Sequence, residues 1–311
     1  MLLLITITLP LFVVMLAGFA TAKRGLIDGG GIRGLTGFVY YFALPLTLFH
    51  LYAKAPVEQF DGAYVAIILG TGLAIHLTGL FSARWLFGCS WAEQSIQGIA
   101  VSFGNTVFIA LPITVGLFGD AATLPMLLAI AVENAILMPF TVALLEIQKA
   151  GRVDIGSAAM AAGRAIATNP IVLPLFPGAA VALSGWPLPT IVDETILLVR
   201  GATVPCALFA LGATLAGLQL TEKMRETVFM VAMKLFAYPT LMFLALTVLA
   251  PGLDPIWRAV ATISASTPMG ANVYLIAVRY EAYVRRASAA VLISTVCSIV
   301  SVSMLALWLE G

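Results

Sequence analysis

The chain has 311 residues, of which 61% are hydrophobic and only 10% are charged, and its mean hydropathy is +1.05. Ordinary soluble domains carry about 25% charged residues, so this composition excludes a globular chain that faces water on all sides. The net charge of +1 gives no indication of a nucleic-acid partner. The composition therefore predicts an all-α protein that crosses a lipid bilayer several times.

Apolar runs long enough to cross a bilayer recur along the whole chain. A hydrocarbon core about 30 Å thick requires about 20 helical residues. The first run has no basic residue ahead of it and is followed by Lys23 and Arg24, so we interpret it as a retained span and not as a signal peptide. The loops are short, and the longest, around 148–164, is the only candidate for an internal linker. Ten runs are predicted to be transmembrane helices: 2–22, 34–53, 62–87, 94–117, 122–147, 165–184, 190–217, 227–250, 257–278 and 287–309.

Basic residues are concentrated in alternate loops of this ten-span arrangement. Twelve of the 16 lysines and arginines fall in one set of loops, whereas the other set contains only Lys54 and Arg258 together with several acidic residues. Loops rich in basic residues stay on the cytoplasmic side of a membrane. The pattern predicts a protein of the cell (inner) membrane with both termini on the non-cytoplasmic side.

Two short features recur with an offset of 160 residues. Pro-x-x-Leu-Phe begins at Pro45 in the second span and at Pro205 in the seventh, and further prolines stand at Pro10 and Pro170. Because each half would contain five spans, an odd number, the second half would enter the membrane with the opposite polarity. We therefore predict two inverted five-helix repeats, over residues 1–150 and 151–311, an arrangement typical of secondary transporters.

The fourth and ninth spans contain residues that interrupt helices. Gly104, Asn105 and Pro112 lie in the fourth span, and Pro268 and Gly270 lie in the ninth. Unpaired peptide groups inside a bilayer are costly unless protein or a water-filled cavity satisfies them. One interpretation is that both segments are packing kinks, which are common in membrane helices. The other, which the matched positions favour, is a pair of broken helices that cross and present free N–H groups to an anion.

Glu133 and Lys234 are charged residues that fall inside predicted spans. Glu133 lies near the centre of the fifth span, next to Asn134, and Lys234 lies in the first half of the eighth. Such residues usually face the interior of a bundle or a wet cavity. Lys234 could attract a substrate carboxylate, replace a coupling sodium ion or release a proton, and Glu133 could be a proton or sodium ligand. A purely structural ion pair between them is the alternative.

Taken together, these features resemble the auxin efflux carrier family, within the larger group that includes the bile acid/sodium symporters. The resemblance covers essentially the whole chain. It implies a scaffold domain and a transport domain that interleave spans from both halves, with the fourth and ninth spans crossing in an X. It also implies elevator-type alternating access, a homodimer, and substrates that are small organic acids, such as auxin or malonate-like carboxylates. The motifs that carry it are Gly104-Asn105-Thr106-x5-Pro112 followed by Phe118-Gly119, Pro268 to Asn272 followed by Ala277 and Tyr280, and Lys234 with Pro239.

The predicted function is secondary active transport of a small organic acid anion, without a cofactor, with Lys234 and Glu133 serving coupling or charge compensation. A sodium-coupled organic anion symporter of the bile-acid type is the alternative, and a proton or a sodium ion could drive transport. An intramembrane enzyme would need a nucleophile with its base or a metal cluster, and the sequence shows neither. A receptor or scaffold would gain nothing from two broken helices. The predicted substrate-binding residues are Asn105, Thr106, Pro112, Thr267, Pro268, Gly270 and Asn272.

Overall fold

The computed structural model describes residues 2–149, 154–218 and 223–310, with side chains from residue 6 to residue 309. The described residues are almost entirely helical, and they form no β-strand beyond one isolated bridge. In chain order the α-helices are α1 (Leu2–Lys23), α2 (Gly29–Phe38), α3 (Leu44–Ala53), α4 (Gly62–Phe87), α5 (Trp91–Ser102), α6 (Leu111–Phe118), α7 (Thr123–Val132), α8 (Met138–Lys149), α9 (Ile155–Ala167), α10 (Leu175–Ser184), α11 (Thr190–Leu215), α12 (Met224–Ala232), α13 (Tyr238–Leu249), α14 (Pro255–Ser266), α15 (Ala271–Arg279) and α16 (Val284–Glu310).

Several of these helices join end to end into segments that can span a bilayer. The all-helical membrane architecture predicted from composition is confirmed. The predicted ten spans divide the chain more finely than the helices that are long enough to cross a bilayer. The prediction splits one segment of 44 residues at the short 3-10 turn Gly119–Ala122, and it also counts shorter helices. The count of ten stays a prediction. Within the described residues, seven segments are long and apolar enough to cross a membrane: Thr6–Lys23, Gly29–Ala53, Gly62–Phe87, Thr106–Lys149, Thr190–Leu215, Met224–Leu249 and Val284–Leu309.

A proline follows each of the wide π turns in the described helices. A proline has no N–H to donate to the carbonyl four residues before it, and its ring collides with that carbonyl. A π turn, in which the hydrogen bond spans five residues, relieves the collision while the helix continues. The π turns are Val39–Ala43, Thr106–Ala110, Glu133–Leu137 and Met233–Ala237, and the prolines that follow them are Pro45, Pro112, Pro139 and Pro239.

The sixth predicted span, 165–184, is not one helix. Helices α9 and α10 are separated by turns at 168–174. The prediction of a continuous helix is wrong here because Asn169-Pro170 and then Pro174 remove donors that a continuous helix needs, and because a residue before proline is disfavoured in helical conformation. Each of the two helices is too short to cross a bilayer alone.

The predicted linker around 148–164 is also partly helical, because α9 begins at Ile155. Asp154 is the N-cap of this helix, and its carboxylate accepts hydrogen bonds from the hydroxyl of Ser157 at 2.8 Å and from the N–H of Ser157 at 3.1 Å. These hydrogen bonds hold the pKa of Asp154 below its ordinary value. The predicted boundary between the two repeats, at residues 150 and 151, lies outside the described residues.

Small residues allow the two long helices α1 and α11 to pack closely along each other. A Cβ on Gly18 would collide with the carbonyl oxygen of Phe209, and a Cβ on Gly212 would collide with that of Met15. Close backbone approach of this kind is typical of helix packing in membranes. Helices α2 and α3 pack against α11, and α10 packs against α3; we call these five helices the α1/α11 group.

The interrupted helices lie in the other part of the bundle. Helix α5 packs against α4 and α8, and α14 packs against α7, α13 and α16. Buried apolar side chains from both parts belong to one continuous core cluster. The two parts contact each other where α1 packs against α6 and α16, where α3 packs against α7, and where α11 packs against the turn Thr106–Ala110.

Candidate functional site

Both predicted interruptions are present, and they touch each other. Helix α5 ends at Ser102 and the chain becomes helical again at Thr106, while α14 ends at Ser266 and α15 begins at Ala271. The two non-helical stretches form an antiparallel bridge between Gly104 and Met269. We call this pairing the crossing. It is held by backbone hydrogen bonds from the N–H of Asn105 to the carbonyl of Pro268 at 2.8 Å and from the N–H of Gly270 to the carbonyl of Phe103 at 3.2 Å.

The pairing explains how broken backbone is tolerated inside an apolar bundle, because each stretch provides hydrogen-bond partners for backbone groups of the other. It also requires residues without side chains. A Cβ on Gly104 would collide with the Thr267 hydroxyl and lie 3.2 Å from the Lys234 ammonium, and a Cβ on Gly270 would lie 2.8 Å from the ring of Phe103. Glycine at these two positions therefore lets the two backbones meet.

The two half-helices that leave the crossing begin with N-termini that no side chain caps. Asn105 precedes the half-helix that runs from Thr106 to Phe118, and Gly270 precedes α15; neither makes a side-chain capping hydrogen bond. The first N–H groups of a helix have no intrahelical partner and carry a partial positive charge. Such termini are suited to bind an anion.

A cavity of about 800 Å³ opens beside the crossing, between the two half-helices and the helices α2 and α11. Its volume lies in the range of small-molecule sites, about 300–1,000 Å³. The wall from α11 is largely apolar, and the wall from the crossing carries the polar side chains of Asn105, Thr106 and Asn272, with Asn134 next to them. The cavity therefore combines apolar walls with a few polar groups at one end.

The charges that line this cavity are positive. Arg33 of α2 and Arg279 of α15 line it, and no Asp or Glu of the described residues does. Both arginines are exposed, and neither forms an ion pair within 4.0 Å in the described part of the chain. With the half-helix N-termini, they make a field that attracts anions and repels cations.

Lys234 lies behind the crossing and does not line the cavity. Its side chain is 0% exposed, and its ammonium donates to the carbonyl of Ala265 at 2.7 Å and lies 4.9 Å from the centre of the Tyr238 ring. Ala265 belongs to the last turn of α14, where carbonyl groups carry a partial negative charge. The ammonium therefore compensates the C-terminal end of one half-helix.

Glu133 compensates the opposite kind of helix end. Its carboxylate is 2% exposed and accepts a hydrogen bond from the hydroxyl of Thr106 at 2.9 Å, at the N-terminus of the half-helix that follows the crossing. Glu133 and Lys234 interact electrostatically but form no ion pair within 4.0 Å among the described residues. Each charge is thus matched to a helix end as well as to the other charge.

Four of the seven predicted substrate-binding residues line the cavity, and three do not. Thr267 is fully buried, and its hydroxyl donates to the carbonyl of Ser264 at 2.8 Å. Pro268 contributes its carbonyl to the crossing, whereas Pro112 lies in the first turn of α6, after the π turn Thr106–Ala110. Thr267 and Pro268 therefore belong to the crossing itself. The four that line the cavity are Asn105, Thr106, Gly270 and Asn272.

Sequence reasoning did not assign Arg33, Arg279 or Asn134 to the site. The sequence predicts that Arg33 lies in a loop before a span that begins at residue 34, whereas the helix starts at Gly29 and places Arg33 in the wall of the cavity. The signal was Asp28, whose carboxylate accepts from the N–H of Gly31 at 2.7 Å as a helix N-cap.

For Asn134 the signal was a proline. Asn134 precedes Pro139 by five residues, and Lys234 precedes Pro239 by five residues, so both polar side chains stand at the same place in a π turn. Single π turns are frequent at functional sites. A polar residue five positions before a proline inside an apolar run therefore predicts a site residue, for Asn134 as for Lys234.

A helical membrane protein in which two broken helices meet beside a small-molecule cavity has the architecture of a transport protein. Comparison with known families agrees over nearly the whole length, since residues 3–306 match the family described as "Membrane transport protein". The chain belongs to this family, and the resemblance to the auxin efflux carriers is confirmed.

Individual relatives are similar over almost their entire length. The chain is 34% identical over 300 residues to a protein of Rhizobium meliloti (strain 1021) named "Putative malonate transporter", with 96% of this chain and 93% of the relative covered. It is 24% identical over 303 residues to "Uncharacterized transporter YfdV" of Escherichia coli (strain K12), with 94% and 93% covered. Family and relatives indicate a transporter rather than an enzyme.

Proposed function

We propose that this chain is a secondary active transporter of a small organic acid anion, with malonate as the first candidate. The observation that carries the proposal is the charge of the cavity: two arginines, two uncapped half-helix N-termini and three asparagines face it, and no carboxylate of the described residues does. The name of the Rhizobium meliloti relative supports a malonate-like substrate. Apolar walls of α11 suit the carbon chain of an organic acid.

One carboxylate of the substrate docks at the crossing. There it accepts hydrogen bonds from the first N–H groups of the half-helices that start at Thr106 and Ala271, and from the side-chain amides of Asn105 and Asn272. Hydrogen bonds to a charged acceptor contribute about 1.5–3 kcal/mol each. Arg33 and Arg279, at the exposed end of the cavity, raise the local concentration of anions.

Transport proceeds by movement of the crossing relative to the α1/α11 group. The position of the cavity between these two parts of the bundle supports this, because relative motion there would open it to alternate sides of the membrane. We propose that the full arrangement is ten spans in two inverted repeats, with an elevator-type mechanism, both termini on the non-cytoplasmic side of the cell membrane, and a homodimer.

The position of Lys234 bears on the driving ion. Its ammonium already occupies the carbonyl end of α14, 2.7 Å from the oxygen of Ala265. A sodium ion bound at these oxygens would lie against a fixed positive charge, which is unfavourable in a buried site. This supports coupling to a proton or to the membrane potential over a sodium-coupled symporter of the bile-acid type.

The proposal is tested by uptake of labelled malonate into proteoliposomes. Uptake should exceed that of empty liposomes, and Asn105→Ala or Asn272→Ala should lower it about tenfold or more, because each removes a hydrogen bond to the carboxylate. Thr195→Ala is the matched control, since this exposed hydroxyl bonds only to its own helix. Uptake should persist when sodium is replaced by potassium at a fixed membrane potential.

Two results would contradict the proposal in different ways. If neither malonate nor other small carboxylates enter faster than into empty liposomes, the function is wrong. If wild-type rates persist in both asparagine variants, the site is wrong. A strict requirement for sodium would favour the bile-acid type of mechanism.

A further inference from the structure

Asn134 carries a buried hydrogen-bond acceptor that no protein group uses. The residue is 1% exposed, belongs to the π turn Glu133–Leu137 and lines the cavity. Its side-chain NH₂ donates to the carbonyl of Ile130 at 3.0 Å, whereas its Oδ1 has no hydrogen-bond partner among the described residues. Because the carbonyl of Ile130 can only accept, the NH₂ must face it, and this fixes Oδ1 as the unmatched atom.

An unmatched acceptor at this depth destabilises the fold, and an apolar side chain of similar size would remove the cost. This acceptor is therefore best explained by a ligand that donates a hydrogen bond. The positive groups of the cavity are themselves hydrogen-bond donors: the guanidinium groups of Arg33 and Arg279 and the first N–H groups of the half-helices. These donors suit a carboxylate, whereas the Asn134 Oδ1 acceptor suits a ligand group that donates a hydrogen bond.

We propose that Asn134 Oδ1 accepts a hydrogen bond from the transported acid, so that the species carried is a monoanion that keeps a donor, namely a dicarboxylic acid in its half-protonated form. This rests on the proposed function and names its substrate more closely. The ionised carboxylate docks on the donors of the crossing, and the remaining acid O–H points to Asn134. A fully ionised dicarboxylate would place a second anionic oxygen against the carbonyl oxygen of Asn134, which is repulsive.

A consequence concerns coupling. Each substrate molecule brings one proton across the membrane on its own carboxyl group and releases it when the acid ionises on the other side. The proton balance is thus one proton and one net negative charge per molecule, without a protonation step on the protein. Transport is linked to the pH gradient through the substrate.

The test compares two competitors of labelled malonate uptake at pH 7.5 that differ only in the donor. The malonamate and monomethyl malonate anions carry one charge each and are similar in size, but the first ends in an amide with N–H groups and the second in an ester without any. Wild-type protein should be inhibited by malonamate at about tenfold lower concentration, the cost of leaving a buried acceptor unpaired. Asn134→Leu should bring the two inhibition constants within twofold of each other.

The wild-type comparison keeps the test meaningful if Asn134→Leu fails to fold. A ratio near one for wild-type protein that does take up malonate overturns the role of Asn134 and leaves the proposed function standing. A tenfold preference in wild type that persists in folded Asn134→Leu also overturns it. Failure of wild-type protein to take up malonate or any small carboxylate overturns the proposed function, and this inference with it.

Discussion

The two buried charges at the crossing are matched to the ends of the broken helices. The ammonium of Lys234 lies at the C-terminal carbonyls of α14, and the carboxylate of Glu133 lies at the N-terminus that begins with Thr106. A buried ion loses several kcal/mol of hydration, and helix ends of opposite polarity, together with the second charge, recover part of it. The sequence left open whether the two residues form a structural pair. The geometry shows that they also hold the crossing from two sides.

The two charges should therefore be energetically coupled. Lys234→Met and Glu133→Gln are each expected to destabilise the protein, because each leaves the other charge buried without its counterpart. The double variant should cost less than the sum of the single ones, by about 0.5–3 kcal/mol. The measurement is the free energy of unfolding of the four proteins in detergent micelles. Strictly additive costs would show that the two groups act independently.

At the scale of elements, prolines and glycines set the geometry of the bundle. Each π turn is followed by a proline, and the turns include Thr106, Glu133, Asn134 and Lys234, so the residues that widen the helices also orient the polar side chains at the crossing. Glycines act elsewhere by permitting contact, at the crossing and between α1 and α11. In both cases the local irregularity is stabilised by a neighbouring element, through backbone pairing or close packing.

The contact between α1 and α11 gives a prediction with an internal control. Gly212→Ala would bring a Cβ into the backbone carbonyl of Met15 and should destabilise the protein by about 1–3 kcal/mol, the usual cost of overpacking. Gly201→Ala, in the same helix, meets nothing within 4 Å and should be neutral or slightly stabilising, because alanine favours helix. Thermal unfolding in detergent compares them. Equal transition temperatures would mean that the two helices are not held in close contact.

At the scale of the molecule, the cavity lies between two parts of the bundle and gathers charge from both. Arg33 belongs to α2 of the α1/α11 group, and Arg279 ends α15 on the other side. Both side chains are exposed, so their effect on an anion is long-range and screened by salt. They should assist capture of substrate more than its tight binding.

Removing both guanidinium charges should weaken capture without slowing turnover. In Arg33→Gln/Arg279→Gln, the KM for malonate is expected to rise about twofold to fivefold at low salt, from two charges acting across about 10 Å of water. The maximal rate should change little, and the dependence of KM on ionic strength should flatten. Arg84→Gln is the control, because Arg84 is exposed but does not line the cavity. An unchanged KM in the double variant, or an equal rise in the control, would exclude specific steering by this pair.

The amino-acid sequence is enough to show that the chain is helical and membrane-embedded, because a chain with so few charged residues requires lipid as its main solvent. It also determined where two helices break, since Gly104 and the Pro268–Gly270 segment impose local backbone limits whatever lies around them. The motifs around these breaks were specific enough to identify the family. The prediction of a continuous sixth span is wrong for a related reason, because Asn169-Pro170 and Pro174 interrupt the helix there.

The role of the two breaks depends on how the chain folds in three dimensions. That the two stretches pair with each other, that Lys234 and Glu133 lie at helix ends of opposite polarity, and that Thr267 is buried while Asn272 faces the cavity depend on residues far apart in the chain. The same dependence on distant residues brings Arg33, Arg279 and Asn134 into the wall of the cavity. Local backbone preference is set by neighbouring residues along the chain, whereas the surroundings of a polar side chain are set by which helices pack around it.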